Sequence, residues 1–330
     1  MNNLEQNLPI YNSILKQKKK ARYLICKNVS VSFNTNESTE SLWKKHTIAL
    51  QKQIIERNKK QQSLLDLKIE LAYRLFQECI FCERRCKIDR RYNAGDCGVK
   101  NSRIASEFLH RGEEYFLVPS HTIFFSGCTF HCVFCQNYDI SQHQCGTSLS
   151  PSEVSQLIST RKNQGAKNVN WVGGDPTSHL YYILLVLKEC DLNIPQIWNS
   201  NMYCSTETML LLNGIIDLYL TDYKYGNDKC AQRLSKIPEY SKTIQRNHTI
   251  AAQQGDVVVR HLVMPNHIAC CSKKILHWIS DNLSRAPLNI MAQYHPEYHA
   301  KDYNDINCFL TNKEFNIVQS IAEQLHLKIL

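Results

Sequence analysis

The segment His121-Thr122-Ile123-Phe124-Phe125-Ser126-Gly127-Cys128-Thr129-Phe130-His131-Cys132-Val133-Phe134-Cys135 reads as a buried strand running straight into three cysteines. Residues 121–126 form a short run rich in β-branched and aromatic side chains, which predicts a strand. The cysteines are spaced C-x3-C-x2-C. Three thiolates this close can wrap one small metal centre and leave it one protein ligand short of four. A [4Fe–4S] cube ordinarily takes four cysteines, so three leave one iron open to a substrate or cofactor. Cys145 is no obvious fourth ligand. Taken alone, the same cysteines also suit a zinc site or ordinary core positions.

Outward from this loop, strands alternate with helices. Further strands are predicted at 168–172, 196–199, 215–220, 256–264 and 288–293, with helices at 179–190, 206–212 and 272–283. Ser150-Pro151-Ser152-Glu153 is a capping box with proline at the first helical position, and Thr311 with Glu314 opens a last helix in the same way. Strands separated by helices imply parallel pairing through right-handed crossovers. The expected fold is α/β, a partial (β/α)6 barrel related to the TIM barrel, with its chemistry at the carboxyl ends of the strands.

Upstream, residues 1–40 look irregular and basic, with Lys16, Lys18, Lys19, Lys20 and Arg22 in one run, and Arg57, Lys59 and Lys60 add to the charge. Such runs are usually solvated faces or loose tails. Residues 42–75 turn helical, giving an expected division into 1–40, a helical and cysteine-rich 41–115, and a barrel over 116–330. The chain of 330 residues has 15 cysteines and a formal net charge of +9. The cysteine count is odd and much of it is clustered, and the opening MNNLEQNLPI lacks a secretory pattern, so a reducing, cytoplasmic setting and metal binding are expected rather than disulfides. The longest fully apolar run, Leu180 to Leu187, is far too short to span a bilayer, so no membrane is expected.

Cys79, Cys82, Cys86 and Cys97 form a second cluster before the barrel. Four sulfurs close a tetrahedral zinc site or complete an iron–sulfur cluster, and spacing leaves both open. Arg84, Arg85, Arg90 and Arg91 can offset thiolate charge or simply confer solubility. Cys190, Cys204, Cys270, Cys271 and Cys308 are expected to be small buried apolar residues.

The segment around Cys128, Cys132 and Cys135, with Phe134 before the last cysteine, resembles the signature of the radical S-adenosylmethionine (SAM) superfamily. The resemblance runs from about residue 116 onward, and its closest branch is that of pyruvate formate-lyase activating enzymes. Gly173-Gly174-Asp175 is similar to the family's Gly-Gly-Glu motif, which meets the SAM amino group. Asn199-Ser200-Asn201-Met202 resembles the activating enzymes' Asp-Thr-Asn-Gly, with Met202 where glycine is expected. Asp222-Tyr223-Lys224 resembles their Asp-Leu-Lys. The segment from Arg260 to Asn266 resembles Arg-x-Val-Val-x-Pro-Gly, again with glycine replaced, here by Asn266. Tyr294-His295 resembles their adenine-contacting Tyr-His. Cysteine-rich leaders like 79–97 occur in some members of this branch.

The resemblance implies a radical SAM enzyme. Its [4Fe–4S] cluster would sit on Cys128, Cys132 and Cys135. SAM would meet Gly173, Gly174, Asp175, Asn199, Ser200, Asn201, Asp222, Lys224, Arg260 and His295. Cys79, Cys82, Cys86 and Cys97 would hold zinc or an auxiliary iron–sulfur cluster. An electron donor such as flavodoxin or ferredoxin is implied, and the substrate, a protein such as a glycyl-radical enzyme or a small molecule, stays open. The competing reading is a non-catalytic iron–sulfur or zinc protein that binds RNA through its basic amino terminus. It predicts no SAM binding and a strong salt dependence; nucleic acid is not the expected partner.

Overall fold

The computed structural model describes residues 7–51 and 61–330. Seven strands form one open sheet in chain order: β1 (Ile104–His110), β2 (Ser120–Phe125), β3 (Asn168–Gly173), β4 (Gln196–Ser200), β5 (Leu218–Asp222), β6 (Asp256–Leu262) and β7 (Leu288–Met291). β1 pairs antiparallel with β2, and every later pair is parallel. The six parallel strands are the expected partial barrel, with β1 added at one edge. β4 is buried at every position and β3 at all but one, as parallel strands covered on both faces require.

Helices, some of them side-chain capped, take over beyond the carboxyl ends of these strands. Ser150 caps α1 (Pro151–Asn163) as a capping box, and Thr311 does the same for α2 (Asn312–Gln324). The helix after β3 is α3 (Leu180–Glu189), entered through a 3-10 turn, Pro176–His179. After β4 comes α4 (Thr206–Leu212), and after β6 comes α5 (Lys273–Leu283). The strand expected at 215–220 begins later, at Leu218. Ile215 and Ile216 are instead held in the turn after α4, where their N–H groups bond to the Leu212 carbonyl. Both are fully buried, so an apolar run mimics a strand it does not form. Two helices between β5 and β6, α6 (Asp228–Ser235) and α7 (Tyr240–Gln254), are not predicted by the sequence pattern.

The amino-terminal third departs most from expectation. Residues 1–40 are not simply irregular: α8 (Pro9–Leu15) and α9 (Arg22–Asn28) lie within them. Leu8 and Tyr11 are each 1% exposed and pack in one cluster with Ile197, Leu218, Leu220 and Val258 of the barrel strands. The Tyr11 N–H donates to Asp256 and the Arg22 N–H to Asp217, each a buried carboxylate near the start of a strand. This segment therefore closes the amino-terminal end of the barrel. Arg22 also donates to the Gln254 carbonyl and is docked rather than solvated, whereas Lys18 to Lys20 are exposed. Arg57, Lys59 and Lys60 lie outside the described residues. The helical stretch expected over 42–75 consists, where described, of α10 (Thr39–Gln51) and α11 (Leu64–Gln77).

One hydrophobic core runs from Ile14 through α11 to Leu327. A boundary at 115/116 would fall between two hydrogen-bonded strands, β1 and β2. No helix among the described residues is long and apolar enough to cross a membrane.

The plug has a direct test. Tyr11 accepts a hydrogen bond from Asn168 at 2.9 Å and fills buried space. Tyr11→Ala should cost about 3–5 kcal/mol of unfolding free energy, by cavity creation. Chemical denaturation measures this; a loss below about 1 kcal/mol would mean the segment only rests on the barrel.

Candidate metal and cofactor site

The ends of β2 and β3 approach so closely that only glycine fits between them. A Cβ on Gly174 would lie 2.1 Å from the Gly127 carbonyl oxygen, and one on Gly173 2.3 Å from the Phe125 nitrogen. Gly173 and Gly127 also have positive φ, +122° and +90°. The sequence assigned Gly173 and Gly174 to close approach by a ligand. The structure adds a prior demand, approach by the protein's own chain, while both glycines still line the cavity at the strand ends.

Cys128, Cys132 and Cys135 all open onto that cavity, of about 340 Å³, at the carboxyl ends of the strands. The same cavity is lined by Gly173, Gly174, Asn199, Ser200, Asn201, Asp222, Lys224 and Arg260. Every sulfur has a hydrogen-bonding neighbour: the Phe130 N–H to Cys128 at 3.3 Å, the Ser235 hydroxyl to Cys132 at 2.9 Å, and Ser141 with Cys135 at 3.2 Å. Burial raises the Cys128 thiol pKa well above its ordinary value and pushes Cys132 up to about 11. Such thiols are ionised by metal binding rather than by neutral water. Burial opposes the charge on Lys224, but Asp222 at 2.6 Å and Cys132 outweigh it, so its pKa lies above the ordinary lysine value. A lysine held charged beside Cys132 fits an anionic iron–sulfur centre.

Two predicted site residues stand elsewhere. Asp175 is 1% exposed and does not line the cavity. One carboxylate oxygen accepts the Thr177 N–H at 2.9 Å; the other accepts the Ser200 hydroxyl at 2.9 Å and the Asn201 N–H at 3.1 Å. It therefore positions Ser200 and Asn201 instead of facing a ligand. His295 is exposed, edge-on to Phe309, also off the cavity. Its neighbour Tyr294 is buried, bonded to the Ile306 carbonyl at 2.7 Å and packed on Phe134. Arg260 does reach the cavity, but its guanidinium is taken by Glu113 and Glu114, the latter at 2.6 Å. Glu113 itself lines the cavity. Sequence reasoning missed it because Arg111-Gly112-Glu113-Glu114 precedes β2 and carries no motif spacing.

Met202 and Asn266, the residues found where the resembled segments have glycine, both adopt left-handed backbone, with φ of 60° and 61°. That conformation is the one glycine adopts without strain, and asparagine tolerates it. Asn201 holds the turn by accepting the Tyr203 N–H at 2.9 Å and donates to Thr129 at 2.9 Å inside the cysteine loop.

Of the four leader cysteines, Cys86 and Cys97 flank Gly95. A Cβ on Gly95 would lie 3.5 Å from the Cys86 sulfur and 3.7 Å from that of Cys97. Burial raises the Cys79 and Cys82 thiol pKa values, and the neighbouring Cys86 and Cys97 sulfurs add to both shifts. Arg90 is 1% exposed, and its Nε and Nη2 have no hydrogen-bond partner among the described residues. A buried cation beside Cys79 with free N–H groups fits an anionic thiolate centre there. Arg84 bonds the Thr129 carbonyl at 3.0 Å and pairs with Asp96 at 2.8 Å, tying leader to cysteine loop. Arg85 pairs with Glu83 and Glu207, and Arg91 with Asp89.

Comparison with known proteins identifies the family of this domain. A family model described as the radical SAM superfamily matches residues 122–279. An uncharacterized protein of Methanocaldococcus jannaschii is 44% identical, over 97% of this chain and 98% of that protein. Streptococcus suis SuiB bound to its precursor peptide SuiA aligns with TM-score 0.49 and 14% identity, over 88% of this chain and 60% of that one. HydG, a maturase of the [FeFe]-hydrogenase, gives 0.47 and 13%, over 97% and 66%. Methylornithine synthase (PylB) gives 0.46 and 14%, over 97% and 78%. Structural likenesses this distant carry no argument about activity. The family match runs from β2, just before Cys128, into α5, beyond Arg260: this chain belongs to the radical SAM superfamily, whose members use a [4Fe–4S] cluster and SAM.

Proposed function

We propose that this chain cleaves SAM reductively at a cluster held by Cys128, Cys132 and Cys135 and abstracts a hydrogen atom from a substrate entering at the carboxyl ends of the strands. The observation that carries this reading is the convergence of the three sulfurs on one cavity with Gly173, Gly174, Asn199, Ser200, Asn201, Asp222 and Lys224. When bound, the reduced cluster and SAM supply a 5′-deoxyadenosyl radical. The chain's own residues do the rest. Glu113 and Asp222 offer carboxylates to the cationic parts of SAM, and Asn199, Ser200 and Asn201 offer hydrogen bonds to its polar groups. Phe124, Phe130, Val172, Leu262 and Met291 supply the apolar wall that excludes water. Asp175 acts through Ser200 and Asn201. Arg260 holds Glu113 and Glu114 rather than a free carboxylate of SAM.

The finer reading, activation of a glycyl-radical enzyme, rests on the ordered series of segments. The left-handed Met202 and Asn266 support that alignment. Nothing in the cavity favours the RNA-binding alternative.

For the leader, four thiolates fit zinc or a second iron–sulfur cluster, and the sulfurs do not stand as close together as a bound zinc ion would set them. Thiolates on one zinc ion lie about 3.8 Å apart, given bonds of roughly 2.3 Å at tetrahedral angles. Among the described residues, no three of Cys79, Cys82, Cys86 and Cys97 have sulfurs within 4.8 Å of one another.

Two outcomes test the reading. Anaerobically reconstituted, reduced protein should form 5′-deoxyadenosine from SAM, and Cys128→Ala, Cys132→Ala or Cys135→Ala should each abolish it; cleavage persisting in any one of them sinks the assignment. Lys224→Met removes a positive charge beside Cys132 and leaves Asp222 unpaired, both of which disfavour the more negative, reduced cluster. Its reduction potential should fall in an EPR-monitored titration; an unchanged or higher potential would separate Lys224 from the cluster.

A further inference from the structure

A third set of sulfurs lies away from both cysteine motifs. Cys230 is on α6, and His267, Cys270 and Cys271 lie in and just before the π-helical turn Ile268–Ser272 that follows β6. Among the described residues, they are the one group of three or more such side chains whose ligand atoms all lie within 4.8 Å of one another. The sulfur–sulfur distances are 4.0 Å for Cys230–Cys270 and 3.9 Å for Cys270–Cys271. The His267 Nδ1 lies 3.7, 3.3 and 3.7 Å from the sulfurs of Cys230, Cys270 and Cys271. A tetrahedral zinc ion with bonds of roughly 2.3 Å to sulfur and 2.0–2.1 Å to nitrogen sets its ligands about 3.8 Å apart for two sulfurs and about 3.6 Å for sulfur and nitrogen. A disulfide needs about 2.05 Å, and all these cysteines are free.

The surroundings are those of a metal site. The His267 Nε2 meets the Asp305 carboxylate at 2.9 Å, which orients the ring with Nδ1 toward the sulfurs. The Asn227 amide reaches the sulfurs of Cys230 at 3.3 Å and Cys271 at 3.8 Å, a donor suited to thiolates. A Cβ on Gly226 would lie 2.6 Å from the Cys271 carbonyl oxygen, so glycine is what lets the two loops meet.

We propose that Cys230, His267, Cys270 and Cys271 bind one zinc ion in a closed tetrahedral site. With four protein ligands the site has no open position and is structural. It staples α6 to the loop after β6. The far end of α6 backs the cysteine loop: the carbonyls of Leu234 and Ser235 accept the N–H groups of Val133 and His131, and the Ser235 hydroxyl donates to Cys132. The ion therefore fixes the wall behind Cys132 without contacting the cavity. The site stands apart from the SAM reading, because its metal is scored without any turnover.

The test is metal analysis of the full chain purified anaerobically. Cys270→Ser/Cys271→Ser should lose one equivalent of zinc relative to wild type, while Cys86→Ser/Cys97→Ser keeps that equivalent. Equal zinc in the Cys270/Cys271 variant and wild type, or iron in place of zinc at these residues, overturns the proposal. Should the double variant fail to fold, wild type decides. Cobalt(II) loaded in place of zinc should show intense thiolate charge-transfer bands and tetrahedral d–d bands that persist in Cys86→Ser/Cys97→Ser. Absence of those bands overturns the site.

Discussion

Everything at the cofactor end depends on a backbone contact where β2 and β3 end. Gly127, Gly173 and Gly174 stack main chain on main chain, locked by the Gly174 N–H on the Phe125 carbonyl at 2.9 Å and the Asp175 N–H on the Gly127 carbonyl at 3.1 Å. A side chain at Gly174 would meet the Gly127 carbonyl at a distance no real contact allows. Cys128 leaves this junction directly and Asp175 leaves it on the other side. Asp175 then grips the end of β4 through Ser200 and Asn201, and Asn201 returns to Thr129. One small contact thus indexes the first cysteine, two strand ends and the polar rim of the cavity to one another.

The remainder of the chain supports that arrangement from two sides. At the amino end of the barrel, Leu8 and Tyr11 fill the interior that six strands leave open. At the carboxyl end the cysteine leader packs against the loop itself. The Phe81 carbonyl accepts from Ser205 and Thr208, Arg84 holds Thr129, and Asp96 meets the imidazole of His131 at 2.8 Å. The leader braces the cysteine loop from outside the cavity, and a centre bound there would lie against the same loop as Cys128.

The barrel and its cavity were legible because their signals are local. The C-x3-C-x2-C spacing and apolar strands between capped helices each fit within a short window. Asp175 and Arg260 show the limit. Type and position in the chain were right for a strand end, but whether a carboxylate faces a ligand or its own backbone depends on partners far away in sequence. Glu113 could not be seen, since Arg260 reaches it across 147 positions. The same holds for Cys230, separated by 37 positions from His267, while Cys270 and Cys271 read as core fillers. The amino-terminal helices were hidden by polar composition, because each buries only a few residues: Tyr11 and Ile14 in one, Tyr23 and Cys26 in the other.

The central claim is that three thiolates hold a cube with one iron left for SAM. Mössbauer spectroscopy of protein reconstituted with 57Fe in a variant lacking the leader cysteines, recorded with and without SAM, addresses it directly. SAM should shift the spectrum of one iron of the cube toward higher coordination and leave the other three unchanged. Four irons with indistinguishable parameters that do not respond to SAM would contradict it.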